Sequence, residues 1–321
     1  MKKVLIWIIA LILGITIVGM GWGSSYLLDY ALAPDPNRTD TDSCFQQQFS
    51  LYPETREWVD SLRAVNALRD TFLVMTSGER HHAYFVSNGS QKTALVVHGW
   101  RDSAAKFLWL ARIYEKELGY NVVIPDLHAS GLSEGEYIRM GWLDRLDLME
   151  WMQAFMTDTM TVHGVSMGAA TTMMLSGETM PSAIRSLHFV EDCGYTSVWD
   201  EFAMQLKEEF GLPEFPLLYA SSLLCKLRFG WSFGEASALE QVKKCHYPML
   251  FIHGSDDSFV PTEMVFRLFE AKPDAKALWV AEDAGHARSY LQHKAEYVSR
   301  LKEFLQAHRY ASGSFIGEKS E

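Results

Sequence analysis

None of the four cysteines, Cys44, Cys193, Cys225 and Cys245, stands in a C-x-x-C pair, which removes the spacing of a zinc site or a dithiol redox centre. Basic charge is also scarce: 29 Lys and Arg face 40 Asp and Glu, for a net charge of −11. The first 28 residues hold Lys2 and Lys3 and no acid, so the rest is more acidic still. Such an acidic body argues against nucleic acid and anionic membrane surfaces as electrostatic partners. Internal repeats and low-complexity stretches are absent. About 70 residues precede the first β-like run, too few for an N-terminal propeller whose single blade needs four strands. What is abundant is apolar content, 48% over 321 residues, enough for one large core and consistent with one catalytic domain on a tether.

The tether is the run from Val4 to Trp22, apolar or small throughout and free of charge. Its length matches the ~20 residues that cross a hydrocarbon core of about 30 Å. Lys2 and Lys3 precede it and Asp29, Asp35, Asp40 and Asp42 follow, so the positive-inside rule leaves the N-terminus cytoplasmic and the domain extracytoplasmic. Ala31-Leu32-Ala33 has the small-x-small form of a signal-peptidase site, which makes secretion after cleavage the rival reading. Against it, the run exceeds the 7–15 residues of a signal h-region, and Pro34 would follow the cut. Residues 1–28 are therefore expected to be an anchor, 29–50 a polar linker, 51–312 the catalytic domain and 313–321 a polar tail. Outside the cytoplasm a Cys225–Cys245 bridge is chemically permitted.

Within the domain, Glu54 to Arg69 sets Trp58, Leu62, Val65 and Leu68 at helical spacing. Phe72–Met75 and Ala83–Val86 flank Ser77-Gly78-Glu79 and read as an antiparallel hairpin. Strand-like and helix-like runs then alternate, the pattern of a mostly parallel sheet covered on both faces. The alternation stops between Tyr195 and Cys245, where the chain becomes helical and aromatic.

The densest signal is Gly164-Val165-Ser166-Met167-Gly168. It lies between a strand-like run, Thr159–His163, and a small-residue helical run, Ala169–Leu175. A G-x-S-x-G turn from strand to helix is the nucleophile elbow of serine hydrolases. A serine hydroxyl is a weak nucleophile at neutral pH, so the turn must hold it clear of packing and within reach of a histidine. The flanking glycines fit, because the sharp turn crowds the neighbouring backbone.

Three further segments carry a resemblance: Thr93–Val97 leading into His98-Gly99-Trp100, Pro248–Ile252 leading into His253-Gly254-Ser255-Asp256-Asp257-Ser258-Phe259-Val260-Pro261, and Ala277–Val280 leading into Glu282-Asp283-Ala284-Gly285-His286. With these, the stretch from about Leu73 to about Gln306 resembles an α/β-hydrolase-fold serine hydrolase. It is most similar to a membrane-tethered bacterial branch related to acyl-protein thioesterases and prolyl-oligopeptidase-like enzymes. The resemblance implies a mostly parallel sheet with helices on both faces and a helical cap at about 195–245. It also implies Ser166 as nucleophile, His286 as base and Asp257 as acid, in the chain order of that fold. Asp256 and Asp192 remain rivals for the acid. Backbone N–H groups of Trp100 and Met167 are the implied oxyanion donors. His98, His163 and His253 read as hydrogen-bonded structural histidines, and Asp126 and Glu134 as organisers of the loop after Val122–Ile124. That loop departs from the family's usual D-x-R-G-H-G-x-S-x-G: His128, Ala129 and Ser130 stand where Arg, Gly and His are common, so no role is carried onto them.

The expected activity is hydrolysis of a carboxylic ester or thioester through an acyl-Ser166 intermediate, without cofactor or metal, on a small or acylated substrate. A prolyl-oligopeptidase-like peptidase is the alternative enzyme. A silent interaction protein on the same scaffold is the reading from another class.

Overall fold

The computed structural model describes residues 2–308; the polar tail expected at 313–321 lies outside the described residues. The chain opens with three helices, α1 (Lys2–Leu32), α2 (Thr41–Leu51) and α3 (Glu54–Ala64). The strands are β1 (Leu68–Val74), β2 (Arg80–Val86), β3 (Lys92–Val97), β4 (Asn121–Pro125), β5 (Thr159–Val165), β6 (Ser186–Asp192), β7 (Met249–Gly254) and β8 (Lys276–Ala281). Between and after them lie α4 (Leu108–Arg112), α5 (Asp144–Ala154), α6 (Met167–Ser176), α7 (Val198–Phe210), α8 (Leu217–Phe229), α9 (Ala238–Val242), α10 (Glu263–Ala271), α11 (Ser289–Gln292) and α12 (Lys294–Ala307).

One eight-stranded sheet runs in the order β1-β2-β4-β3-β5-β6-β7-β8. The hairpin β1–β2 and the pair β2–β4 are antiparallel, and the remaining pairs are parallel. The central strands are buried along nearly their whole length because both faces are covered. Alternate side chains enter different cores: Leu95 and Val97 join a cluster with α6 and the cap, whereas Ala94 and Val96 join one with α2, α3 and α12. The chain leaves β3 toward β4 on one side and later adds β5 on the other. The carboxyl ends of β3 and β5 therefore flank a topological switch point, where open α/β sheets bind ligands. The helical insertion α7–α9, between β6 and β7, is the expected cap, and Ser197 caps α7 by accepting from the Asp200 N–H at 3.0 Å.

The structure departs from the sequence reading in two places. The helix expected over 54–69 ends at Ala64, with Asn66 at φ +54°, so Leu68 begins β1 and Val65 is exposed. Residues 29–50, read as a linker, contain the end of α1 and most of α2. Asp40 caps α2 by accepting from the Ser43 N–H, while Cys44, Phe45 and Phe49 are buried in the core. The Cys225–Cys245 bridge is not formed, and the four cysteines are free and buried.

Helix α1 is long and apolar enough to cross a membrane, and its hydrophobic window is wholly exposed. Beyond Trp22 its role changes. Ser24, Leu28 and Leu32 are buried, and the helix packs along α8. The last carbonyls of a helix lack intrahelical partners, and here the domain supplies them. The Trp100 indole donates to Ala31 O at 2.9 Å, the Arg101 guanidinium to Tyr30 O at 2.8 Å and Ala33 O at 2.9 Å, and the Ile138 N–H to Leu32 O at 2.8 Å. The Arg101 cation at this helix C-terminus also complements the macrodipole. Because Leu28 is 1% exposed and belongs to the main core, Leu28→Ala should cost about 2–5 kcal/mol of stability. Chemical denaturation of the two proteins in one detergent checks this, and a loss under about 0.5 kcal/mol would mean that the helix end only rests on the surface.

Candidate active site

Ser166 sits between β5 and α6 at φ +58° and ψ −121°, a conformation that non-glycine residues adopt only when the surroundings enforce it. The enforcement is visible at its neighbours. A Cβ added to Gly164 would run into the Gly168 carbonyl, and one added to Gly168 into the Val97 carbonyl at the end of β3. Strand β5, helix α6 and strand β3 therefore approach backbone to backbone, and the turn between them projects Ser166 from the carboxyl edge of the sheet.

The Ser166 Oγ lies 2.8 Å from His286 Nε2, and His286 Nδ1 lies 2.7 Å from Asp257 Oδ2. His286 is delivered by the loop after β8 and Asp257 by the loop after β7. Asp257 is buried and its other oxygen accepts from the Phe259 and Val260 N–H groups at 3.0 and 2.9 Å. Burial alone would raise its pKa, but hydrogen bonds from His253 and His286 and the charge of His286 outweigh that and hold it at about 2. A carboxylate fixed in this way accepts the Nδ1 proton, leaves Nε2 bare toward Ser166 and stabilises the imidazolium once Nε2 takes a proton.

The rivals for the acid are placed elsewhere. Asp256 is exposed and accepts from the Ser255 hydroxyl. Asp192 is buried and accepts from the Tyr297 hydroxyl at 3.0 Å. The structural histidines have partners: His98 accepts from the Leu127 N–H at Nε2, and His163 lies between the Tyr114 and Tyr297 hydroxyls, 3.0 Å from each. His253 meets Val260 O and Asp257. Asp126 accepts from the Ala104 and Leu132 N–H groups and Glu134 from that of Arg80, so both tie loops together. Cys193 has its sulfur within 4.8 Å of Asp257 and His286 ligand atoms, but burial pushes its thiol far up and keeps it protonated.

Ser166 opens into a cleft with about 890 Å³ of empty space. Trp100 and Met167 line it beside the serine, and a Cβ added at Gly99 would lie 3.5 Å from the Ser166 Cβ. The cap contributes Phe202, Leu206, Phe210, Leu218 and Phe233, the acid loop Phe259 and Val260, and the end of α1 Leu27, Tyr30 and Ala31. Two features of this cleft went unread in the sequence. One is the wall made by α1. The other is Glu201 of α7, 4% exposed, whose Oε1 accepts from the Gln205 amide at 3.0 Å while Oε2 has no hydrogen-bond partner among the described residues.

No family model matches the chain. A curated relative, the uncharacterised protein YqkD of Bacillus subtilis strain 168, is 28% identical over 313 residues, covering 95% of this chain and 97% of its own. Among solved structures, the Pyrococcus furiosus esterase Pf2001 superposes with a TM-score of 0.60 at 25% identity, over 77% of this chain and 95% of that one. A bacterial membrane phospholipase A superposes at 0.56 with 15% identity, over 82% and 94% of the two chains. A candidate lipase from Acinetobacter baumannii AYE does so at 0.57 with 16% identity, over 84% and 96%. The chain is similar to each of these, and its fold is that of the α/β hydrolases.

Burial pushes the Glu201 pKa up to about 8, against a lowering by the Gln205 hydrogen bond. A carboxyl whose folded pKa is raised stabilises the fold fully below its unfolded pKa near 4.5, and that contribution is lost as pH rises toward 8. Glu201→Gln, which stays neutral, should therefore melt with a shallower fall in Tm between pH 4.5 and pH 8 than the parent. Parallel Tm–pH curves for the two proteins would show that Glu201 is ionised in the folded state.

Proposed function

We propose that this chain is a serine hydrolase that cleaves a carboxylic ester or thioester. One observation carries the reading: a hydrogen-bonded chain from Ser166 through His286 to a buried, ionised Asp257, its hydroxyl end open to an apolar cleft. The likeness to an esterase at 25% identity supports it.

In this reading His286 takes the Ser166 proton as Oγ attacks the carbonyl carbon. Backbone N–H groups of Trp100 and Met167 receive the negative charge that develops on the carbonyl oxygen. The Met167 N–H belongs to the first turn of α6, where donors have no intrahelical partner and the helix dipole is positive. Collapse of the tetrahedral species breaks the bond to the alcohol or thiol, which leaves with the proton from His286. Water then enters, His286 removes its proton, and the acyl group departs from Ser166 as a carboxylic acid. Every step uses side chains already in contact, without cofactor or metal.

We infer also that α1 is an uncleaved membrane anchor with the domain on the extracytoplasmic side. Support comes from the exposed apolar window and from Lys2 and Lys3 ahead of it. Cleavage after Ala33 would remove Leu27, Tyr30 and Ala31 from the cleft wall.

A panel of p-nitrophenyl acyl esters beside aminoacyl- and prolyl-nitroanilides tests the substrate class: turnover of esters alone is expected, and preferential turnover of the anilides would make the protein a peptidase. Within the panel, Asp257→Asn should lower kcat by about 10³–10⁴ through loss of the correct His286 tautomer. Asp256→Asn should change it little, and a reversal of the two would move the acid by one residue.

A further inference from the structure

We propose that the cleft is loaded from the bilayer itself and that its substrate is a long-chain acyl ester of a membrane lipid, drawn out along the seam between α1 and the cap helix α8. This rests on the ester-hydrolase and anchor readings above and adds to them a docking surface and a substrate class.

The argument begins with α8. Phe215, just before the helix, and Tyr219, Leu223 and Leu227 on it recur every four residues and are 72%, 53%, 62% and 76% exposed. Four large apolar side chains on one stripe form a patch that a water-soluble surface rarely presents. The stripe lies on the helix that packs along α1. Leu217 comes against Gly23, one residue past the apolar run, and further along α8 the Arg228 guanidinium pairs with Asp29 at 3.3 Å. The stripe thus starts, at Phe215, level with the end of the apolar run, and this argues that its occupant is the bilayer interface. Trp22, Tyr26 and Tyr30 stack in sequence along α1, with ring centroids 6.0 and 6.5 Å apart, the aromatic type that settles at headgroup depth.

The cleft continues this surface inward. Leu27, Tyr30 and Ala31 line it and follow Trp22 on the same helix by about 8–14 Å along the axis. An acyl chain leaving the leaflet beside Trp22 would pass over this short stretch of helix and meet Leu206, Phe210 and Phe233 of the cap. Its ester would then lie at the headgroup end, toward Ser166. The acidic body discourages anionic surfaces, so a zwitterionic leaflet suits the protein better.

The test uses full-length protein reconstituted in phosphatidylcholine vesicles that carry a labelled long-chain phospholipid, with soluble p-nitrophenyl butyrate as the second substrate. Phe215→Glu/Tyr219→Glu puts charge on the end of the stripe next to the apolar run without touching the cleft lining, and Phe215→Glu alone is run beside it in case the pair folds poorly. Release of labelled fatty acid from the vesicles should fall about tenfold or more, with butyrate turnover within about twofold of the parent. Unchanged release in both variants would overturn the docking surface. Parent protein that turns over butyrate but leaves the phospholipid intact, or cleaves only an S-acylated peptide on the same vesicles, would overturn the lipid substrate and leave the hydrolase reading standing. Loss of both substrates in the parent would instead overturn the hydrolase reading.

Discussion

The site depends on one close approach, that of the β5–α6 turn to the end of β3. With Gly164 facing the Gly168 carbonyl and Gly168 facing the Val97 carbonyl, three backbone segments meet where no side chain fits. That contact holds Ser166 at positive φ, aims its hydroxyl above the sheet and brings the Gly99–Trp100 backbone beside it. The rest of the centre is then set by the parallel sheet. Strands β7 and β8 end at the same edge as β5, so the loops that follow them deliver Asp257 and His286 without any long excursion. A substitution that forced β3 away from the elbow would separate Ser166 from the Trp100 backbone.

A second dependence links the tether to the chemistry. The end of α1 is held by four carbonyl contacts from the domain and by the burial of Ser24, Leu28 and Leu32, and it supplies a wall of the cleft. The helix therefore has two parts. Its first turns are exposed all round and apolar enough to cross a membrane, while its last ten residues bury Ser24, Leu28 and Leu32 against the domain. A purely mechanical anchor would end before the domain begins, whereas here the two share residues.

Much of this was legible in the sequence. The short strand-like runs of β3, β5 and β7, each leading into a glycine-containing turn, mark buried parallel strands, and the hairpin β1–β2 and the cap lie where alternation and its interruption suggested. The residues the structure joins, Ser166, His286 and Asp257, are those the local motifs marked, because each motif encodes a turn as well as a side chain. What could not be read depends on contacts distant in sequence. Thr41–Leu51 reads as polar, with three consecutive glutamines, yet it is helical because Phe45 and Phe49 find the second core. Leu27 and Ala31 look like the tail of a membrane run until they are seen to line the cleft beside Trp100. Glu201 is an ordinary acid of an amphipathic helix until the cap folds it over the cleft. Val65 misled for the opposite reason: its spacing fitted a helix that Asn66 ends.

The central claim is that Ser166 is an activated nucleophile. Full-length protein treated with a fluorophosphonate, then digested and mapped by mass spectrometry, tests it most directly. A single adduct on the peptide carrying Ser166 is expected, absent in Ser166→Ala at unchanged Tm. An adduct on any other residue, or labelling that survives in Ser166→Ala, would contradict it.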